Sequence, residues 1–159
     1  MRVASKPSQR TLPILLVCEG LPPDRFEGCD GRTDIRADLQ TKDGHKAGSS
    51  AGKNSVKWTT EIIAKNGADG SLDFAGPAVH GKRGERFFYL GWSGDKNGRR
   101  EMFRRIKIHL RDVTPAQLAR VVTTGGVLLA RVRAVAKDGG PACASVPILD
   151  GWNVQQSEE

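Results

Sequence analysis

The sequence predicts a mainly β domain, built as an antiparallel β-sandwich or a partly open barrel with one short α-helix at about residues 114–124. Three observations predict this class. Apolar and polar residues alternate with a period of two in several short segments, which is the pattern of half-buried strands. The 19 glycines cluster between the apolar runs, as many turns would require. Turn tetrapeptides of the hairpin type favour antiparallel pairing.

The length of 159 residues favours a single β-rich domain at 11–154. Residues 1–10 are predicted to form a flexible basic tail, and residues 155–159 a second, polar tail. Residues 24–54 are mostly charged, glycine or small and polar, which predicts a long surface loop with the capacity to move. A weak alternation at 35–39 predicts a short strand inside that loop.

Two strands are predicted in the first half of the chain. Residues 11–19 form a compact run of leucine, isoleucine and valine that is too short for a typical helix. Residues 55–64 read SVKWTTEIIA, and Val56, Trp58 and Ile62 share one face while polar residues occupy the other. The first run predicts a buried strand and the second a half-exposed one.

An aromatic hairpin is predicted in the second half. Residues 86–92, RFFYLGW, form the first strand, and DKNG at 95–98 is a hairpin turn. The chain returns as EMFRRIKIHL at 101–110. Arg104 interrupts the apolar face of this returning strand, and the opposite face is cationic.

One helix and two strands complete the predicted elements. Thr114 is a candidate N-cap, and Pro115 suits the first helical position. Apolar residues then repeat at intervals of three and four, until two consecutive glycines end the helix. Residues 127–136 and 145–149 are predicted to be strands.

The charge balance indicates acidic partners. The formal net charge is +7 and the sequence pI is near 9.7. A basic domain favours nucleic acid, an anionic membrane surface or an acidic protein, without choosing among them. No run approaches the ~20 apolar residues that a membrane-spanning helix needs, so no membrane span is predicted.

The cysteine pattern and the first apolar run favour the cytoplasm over export. Three cysteines, with no CxxC pair, argue against a disulfide framework or a structural zinc site. Cys18 lies in an apolar run and is predicted to be buried, whereas Cys143 follows a turn and is predicted to be more exposed. The run LPILLVC is short for a secretion signal, and Val17 stands where a small residue is needed.

The stretch DFAGPAVHGKRGERFFYLGW at 73–92 contains the most specific candidate site. Two glycines flank two cations at 81–84, and successive backbone N–H groups in such a turn can bind an anion. The Walker pattern is absent, and a strand rather than a helix follows, which excludes a dinucleotide fingerprint. The alternative is a plain turn that leads into a buried strand.

Cations are dense on the returning strand of the hairpin. Six of them lie between residues 99 and 111, where Glu101 is the one acidic residue before Arg111. Arg131 and Arg133 share one face of a later strand, so pairing of the two strands would merge all these charges into one patch. The alternatives are a solvated face paired with carboxylates, an oligonucleotide site and a site for an acidic protein. The predicted contact residues are Gly81, Lys82, Arg83, Gly84, Arg86, Arg104, Arg105 and Lys107.

The three histidines are scattered, and none has the spacing typical of a zinc site. His80, beside the glycine turn, is a candidate general base that would act with Asp73, Glu85 or Asp138. The sequence offers no metal-ligand set and no cofactor motif. It therefore favours a binding module over an enzyme.

Three segments carry a family resemblance: LDFAGPAVHGKRGERFFYLGW, RRIKIHLRDVTPAQLARVV and LLARVRAVAKDGGPACASV. With weaker likeness elsewhere, most of residues 12–153 resembles the bacterial family catalogued as domain-of-unknown-function family 5990. The resemblance implies a small bacterial domain and brings no catalytic residues with it.

Taken together, these residues predict a small module that binds an anionic ligand or an acidic partner through the glycine turn and the cationic strand. An oligonucleotide-binding domain is the first alternative. A small hydrolase or isomerase that uses His80 with a carboxylate is the second.

Overall fold

Two β-sheets and one helix form the part of the chain that a computed structural model describes, which is residues 8–19, 33–42, 48–51, 55–66, 71–135 and 146–156. The elements in chain order are β1 (Ser8–Glu19), β2 (Thr33–Leu39), β3 (Gly48–Ala51), β4 (Ser55–Asn66), β5 (Leu72–Ala75), β6 (Phe87–Lys96), β7 (Arg99–His109), α1 (Pro115–Thr124), β8 (Val127–Val135) and β9 (Val146–Gln155). The prediction of a mainly β protein with one short helix is confirmed.

The larger sheet has the strand order β3-β4-β1-β8-β9, and β5 pairs with β4 beyond the end of β3. Its pairs are antiparallel, except that β1 and β8 run parallel, with Leu16 opposite Ala130. A parallel pair needs a long crossover connection. Here the connection includes the whole smaller sheet and α1, so local turn signals could not predict it.

The smaller sheet is antiparallel and has the order β2-β6-β7. Its β6–β7 hairpin turns at Asn97 and Gly98, whose φ angles are 54° and 79°. Positive φ at both central residues matches the twist of the flanking strands, which is why Asn-Gly is favoured there. The hairpin predicted from DKNG is therefore confirmed.

The core lies between the two sheets. Alternate residues of β6, Phe88, Leu90 and Trp92, face inward and are almost fully buried, as are Ile14 and Leu16 of β1. The same period of two holds on β4, where Trp58 and Ile62 are buried. The face of β4 that alternation predicted to be apolar is thus the face that the core uses.

Trp152 of β9 connects the larger sheet to the smaller one through a hydrogen bond and a ring contact. Its Nε1 donates a hydrogen bond of 2.8 Å to the His109 carbonyl at the end of β7. Its ring packs near Phe88, with 6.0 Å between the centroids. The Trp152 carbonyl also accepts a 2.7 Å hydrogen bond from Nε2 of Gln117, so one residue connects β7, β9 and α1.

The helix has the ends that the sequence predicts. The Thr114 hydroxyl accepts a hydrogen bond from the Gln117 N–H, and the Gln117 side chain accepts one from the Thr114 N–H. This reciprocal capping satisfies two amide groups that have no partner inside the helix. Gly125, with φ of 67°, ends the helix in the left-handed conformation. This helix, ten residues long, is too short to cross a membrane, and none of the described helices could do so.

The structure corrects the predicted boundaries of the domain. β1 begins at Ser8, which lies opposite Asn66, so residues 8–10 belong to a strand rather than to the tail. β9 runs to Gln155, one residue past the predicted end of the domain.

The predicted loop at 24–54 contains two strands. β2 confirms the strand predicted from the weak alternation, and β3 adds a second one that pairs with β4. Apart from 33–42 and 48–51, this loop lies outside the described residues, so its mobility stays a prediction.

Cys18 is fully buried, as the apolar run predicts. Burial raises the pKa of its thiol to about 12, with a further contribution from the charge of Glu19. Cys143 lies outside the described residues, and its exposure stays a prediction.

Trp152 and Trp92 offer a matched test of the connection between the sheets. Trp92 Nε1 is buried and has no hydrogen-bond partner among the described residues, whereas Trp152 Nε1 is bonded to His109. Trp→Phe removes the same ring volume at both sites. We expect Trp152→Phe to lower the free energy of unfolding by about 1–3 kcal/mol more than Trp92→Phe, because only the first leaves a carbonyl unpaired. Urea unfolding of the two variants measures the difference, and equal losses would contradict it.

Candidate functional site

The predicted glycine turn is held closed by a β-bridge. The N–H of His80 donates to the Phe87 carbonyl at 2.9 Å, and the N–H of Phe87 donates back to the His80 carbonyl at 3.1 Å. Inside this bridge, the N–H of Glu85 donates to the Lys82 carbonyl at 2.8 Å. The turn is therefore an ordered loop whose base adjoins the outer face of β6.

Gly81 and Gly84 both have positive φ, 89° and 85°. At Gly81 a Cβ atom would lie 2.3 Å from the Glu85 carbonyl oxygen and 2.7 Å from Cε1 of Phe87, whereas at Gly84 it would meet open space. Position 81 requires glycine for two reasons, its positive φ and the clash that a Cβ would make with residues 85 and 87. Position 84 requires glycine only because of its positive φ.

Arg86 connects the turn to the larger sheet. Its Nε donates to Asp73 Oδ1 at 3.1 Å and its Nη2 to Asp73 Oδ2 at 3.4 Å, and its Nη1 donates to the Gly81 carbonyl. The hydrogen bonds from Arg86 hold the pKa of the Asp73 carboxyl below its usual value. Since this guanidinium is engaged within the protein, Arg86 positions the turn and is not one of the cations left for a ligand.

The two cations at the tip of the turn face solvent. Lys82 Nζ lies 3.8 Å from a carboxylate oxygen of Glu85, and both side chains are more than half exposed. Nη2 of Arg83 donates to the Ser71 hydroxyl at 3.1 Å. Such exposed contacts hold the side chains loosely and leave most of their charge to the solvent.

The outer face of the β6–β7 hairpin is a layer of cations on aromatic rings, and we call it the cationic face. The Cζ atom of Arg105 lies 4.1 Å from the centroid of the Tyr89 ring. Nζ of Lys107 lies 4.6 Å from the Phe87 ring and 5.9 Å from the Tyr89 ring. No ion pair within the described part of the chain includes Arg105 or Lys107. Their partners are π-systems, which leave the positive charges uncompensated.

His80 joins the glycine turn to the cationic face. Its ring centroid lies 6.1 Å from that of Phe87 and 5.2 Å from that of Tyr89. Its Nε2 lies 3.2 Å from the Gln40 carbonyl oxygen. The hydrogen-bond partner that the structure shows for His80 is therefore a carbonyl, while Asp73 is bonded to Arg86 and Asp138 lies outside the described residues.

Two groups of predicted cations lie elsewhere. Arg104 is opposite the buried Trp92, so it is on the core-facing side of β7 and not beside its neighbours in sequence. Arg131 and Arg133 are on β8 in the larger sheet, where they pair with Glu19 and Asp150 at 3.4 and 2.9 Å respectively. The expectation of one merged patch is wrong, because β7 and β8 belong to different sheets.

Sequence reasoning missed a groove beside α1. A cavity of about 440 Å³ lies between the helix and the ends of β1, β4 and β5, and a second one of about 290 Å³ shares Leu72 and Pro115 with it. Its walls come from four elements that are distant in sequence. The sequence offered one signal of the groove, the apolar stripe of α1. Only Val121 of this helix is buried, so the other apolar residues of the stripe are left for another contact.

The two glycines of the turn make a second matched test. Gly84→Ala is expected to cost about 1 kcal/mol of stability, the penalty for a Cβ at positive φ. Gly81→Ala is expected to cost more than about 2 kcal/mol, since the new atom also collides with backbone. Thermal or urea unfolding measures both values, and a Gly81→Ala variant as stable as Gly84→Ala would contradict the described turn.

The Asp73–Arg86 pair predicts a pH dependence. The side chains are 19% and 25% exposed, and we expect Asp73→Asn to cost about 1–2 kcal/mol near neutral pH. Because the pKa of Asp73 is lower in the folded state, this contribution is present above its unfolded pKa and disappears as the pH falls through the folded pKa. The stability difference between wild type and variant should therefore shrink below about pH 4.

Asp150→Asn is the comparison for that experiment, since Asp150 has the same kind of partner, Arg133, in a more exposed pair. Asp150→Asn should lower the free energy of unfolding less than Asp73→Asn does at neutral pH. Unfolding curves from neutral pH down to pH about 3 provide the test, and a constant difference for Asp73→Asn across that range would refute the role of the pair.

Comparison with protein-family models matches residues 12–155 to a family described as a family of unknown function, DUF5990. No curated protein and no solved structure matches the chain. The match confirms the resemblance seen in the glycine turn, the returning strand with α1, and β8. Since it covers most of the sequence, the chain belongs to the family of unknown function DUF5990.

Proposed function

We propose that this protein is a binding module that recognises an acidic segment of a protein partner through the cationic face and the adjoining tip of the glycine turn. The observation that carries the proposal is that Arg105 and Lys107 rest on Tyr89 and Phe87 instead of on carboxylates. A partner can therefore approach two charges that form no ion pair with another described residue.

The arrangement of the turn supports this reading. Lys82 and Arg83 lie at most three residues from His80, whose ring contacts the aromatic rings beneath the cationic face. The turn therefore brings two more exposed cations into the loop that adjoins the cationic face. Complementary charge of this kind accelerates association and selects acidic partners over basic ones.

The shape of the surface favours a large partner over a small molecule. The cationic face is the outer side of a sheet, and Met102 adds an apolar side chain there that is 48% exposed. Met102 lies over Gly91, since a Cβ on that glycine would be 2.9 Å from the methionine methyl group. An adaptable thioether beside fixed cations suits contact with a polypeptide chain.

One observation favours a second candidate, a single-stranded oligonucleotide. The Cζ atom of Arg105 lies over the Tyr89 ring and the residue is exposed, so a guanidinium parallel to that ring would offer its other face to a base. Base stacking on such a platform, with cations along the backbone path, is how many single-strand binders work.

We also propose a cytoplasmic location and a bacterial source. An odd number of cysteines and a buried, unpaired Cys18 suit a reducing compartment. The source follows from the resemblance alone.

The proposed function is tested with two probes, an oligoglutamate peptide and oligo(dT), at low salt. The double variant Arg105→Gln/Lys107→Gln should weaken oligoglutamate binding about tenfold. Arg131→Gln/Arg133→Gln removes the same charge from the other sheet and should change binding little. Equal weakening by the two double variants, or no binding of either probe, would overturn the proposal.

Arg105→Lys separates the two candidates, because it keeps the charge and removes the flat guanidinium. Oligoglutamate binding should survive this change nearly intact. Loss of tight oligo(dT) binding in the same variant would favour the oligonucleotide. If four cations neutralise phosphates, the log–log salt slope for oligo(dT) should be about −3.

A further inference from the structure

The groove beside α1 is amphipathic, and none of the residues that line it belongs to the cationic face. Aliphatic side chains of β1, β4, β5 and α1 form most of its walls, and Arg10, Asn66 and Thr123 supply polar groups. A cavity of about 440 Å³ is within the range of small-molecule sites, which combine apolar walls with a few polar groups.

The helix presents an apolar stripe to this groove. Pro115, Leu118, Ala119 and Val122 recur at helical spacing and line it, while Val121 faces the core. Val122, which lines the groove, is 39% exposed. One side of α1 therefore stabilises the fold, and the other remains accessible to a ligand.

Arg10 lies where a strand of this sheet would normally place an apolar residue. It is opposite Ala64, and two residues further on Leu12 begins the buried side of β1. Arg10 is exposed, and no ion pair or hydrogen bond of its side chain occurs among the described residues. A cation therefore stands at the mouth of an aliphatic groove with its charge uncompensated.

We infer that this groove binds a small aliphatic carboxylate, with its chain along α1 and its head group on Arg10. A guanidinium pairs with a planar carboxylate through two parallel hydrogen bonds, and the Asn66 amide can donate another. The described residues that line the groove include no aromatic ring, which favours a flexible alkyl chain over a stacked ring. None of these residues belongs to the cationic face, so the inference is independent of the proposed function.

Titration calorimetry of the full chain with butanoate, hexanoate and octanoate tests the inference. Affinity should rise about threefold to fourfold with each added methylene group until the groove is filled. Octan-1-ol, which has the chain without the charge, should bind about tenfold more weakly than octanoate. An affinity independent of chain length, or equal binding of the alcohol and the acid, would overturn the proposal.

Two matched pairs of variants locate the site. Ala119→Phe places a ring in the groove and should abolish octanoate binding, whereas Ala116→Phe places the same ring on another side of the helix and should not. Arg10→Gln should weaken octanoate about tenfold and leave octan-1-ol unchanged, and Arg120→Gln, outside the groove, should do neither. If Ala116→Phe and Ala119→Phe behave alike, the groove is not the site.

The groove could also be occupied by the chain's own residues 1–7, because β1, which lines the groove, begins at Ser8. A variant that begins at Ser8 should bind octanoate as the full chain does. If octanoate binds only after residues 1–7 are removed, the groove belongs to that segment, and the inference fails.

Discussion

Strand β6 is hydrophobic on both of its faces, and the rest of the molecule is arranged around that constraint. Phe88, Leu90 and Trp92 point inward, where the larger sheet covers them. Phe87 and Tyr89 point outward, where neither of the two described sheets covers them. The long side chains of β7 lie over these outer rings instead, and their aliphatic stems exclude water from aromatic surface that a third layer would otherwise have to bury.

This solution places Arg105 and Lys107 on the surface without a direct ion pair in the described part of the chain. The larger sheet shows the ordinary alternative, in which Arg131 and Arg133 pair with Glu19 and Asp150 and their fields largely cancel. On the smaller sheet the rings substitute for the carboxylates, and the field of the cations extends into solvent. Stability and the proposed recognition therefore depend on the same contacts there. A variant that removes the cations also uncovers rings, so its folding must be measured beside its binding.

Local pattern accounts for much of the fold and less of the candidate site. Alternation predicted the buried face of β4, and the turn and capping residues predicted the hairpin and the helix. The parallel β1–β8 pair was beyond that reasoning, since its partners are brought together by a connection of more than a hundred residues. Because sheet membership was unknown, Arg131 and Arg133 were grouped with the cations of β7, and the commitment of Arg86 to Asp73 could not be foreseen.

The positions where the alternation breaks are the more informative ones. Arg104 interrupts the apolar face of β7, and Arg10 interrupts that of β1, each where an inward-facing residue was due. A charged group at such a place costs stability unless it reaches solvent or a partner. Arg10 reaches solvent because the sheet ends there and α1 does not close over it, and this incomplete closure is what leaves the groove. A sequence that departs from its own period at the end of a strand therefore indicates where a sheet has been left open, and such departures are expected at functional sites.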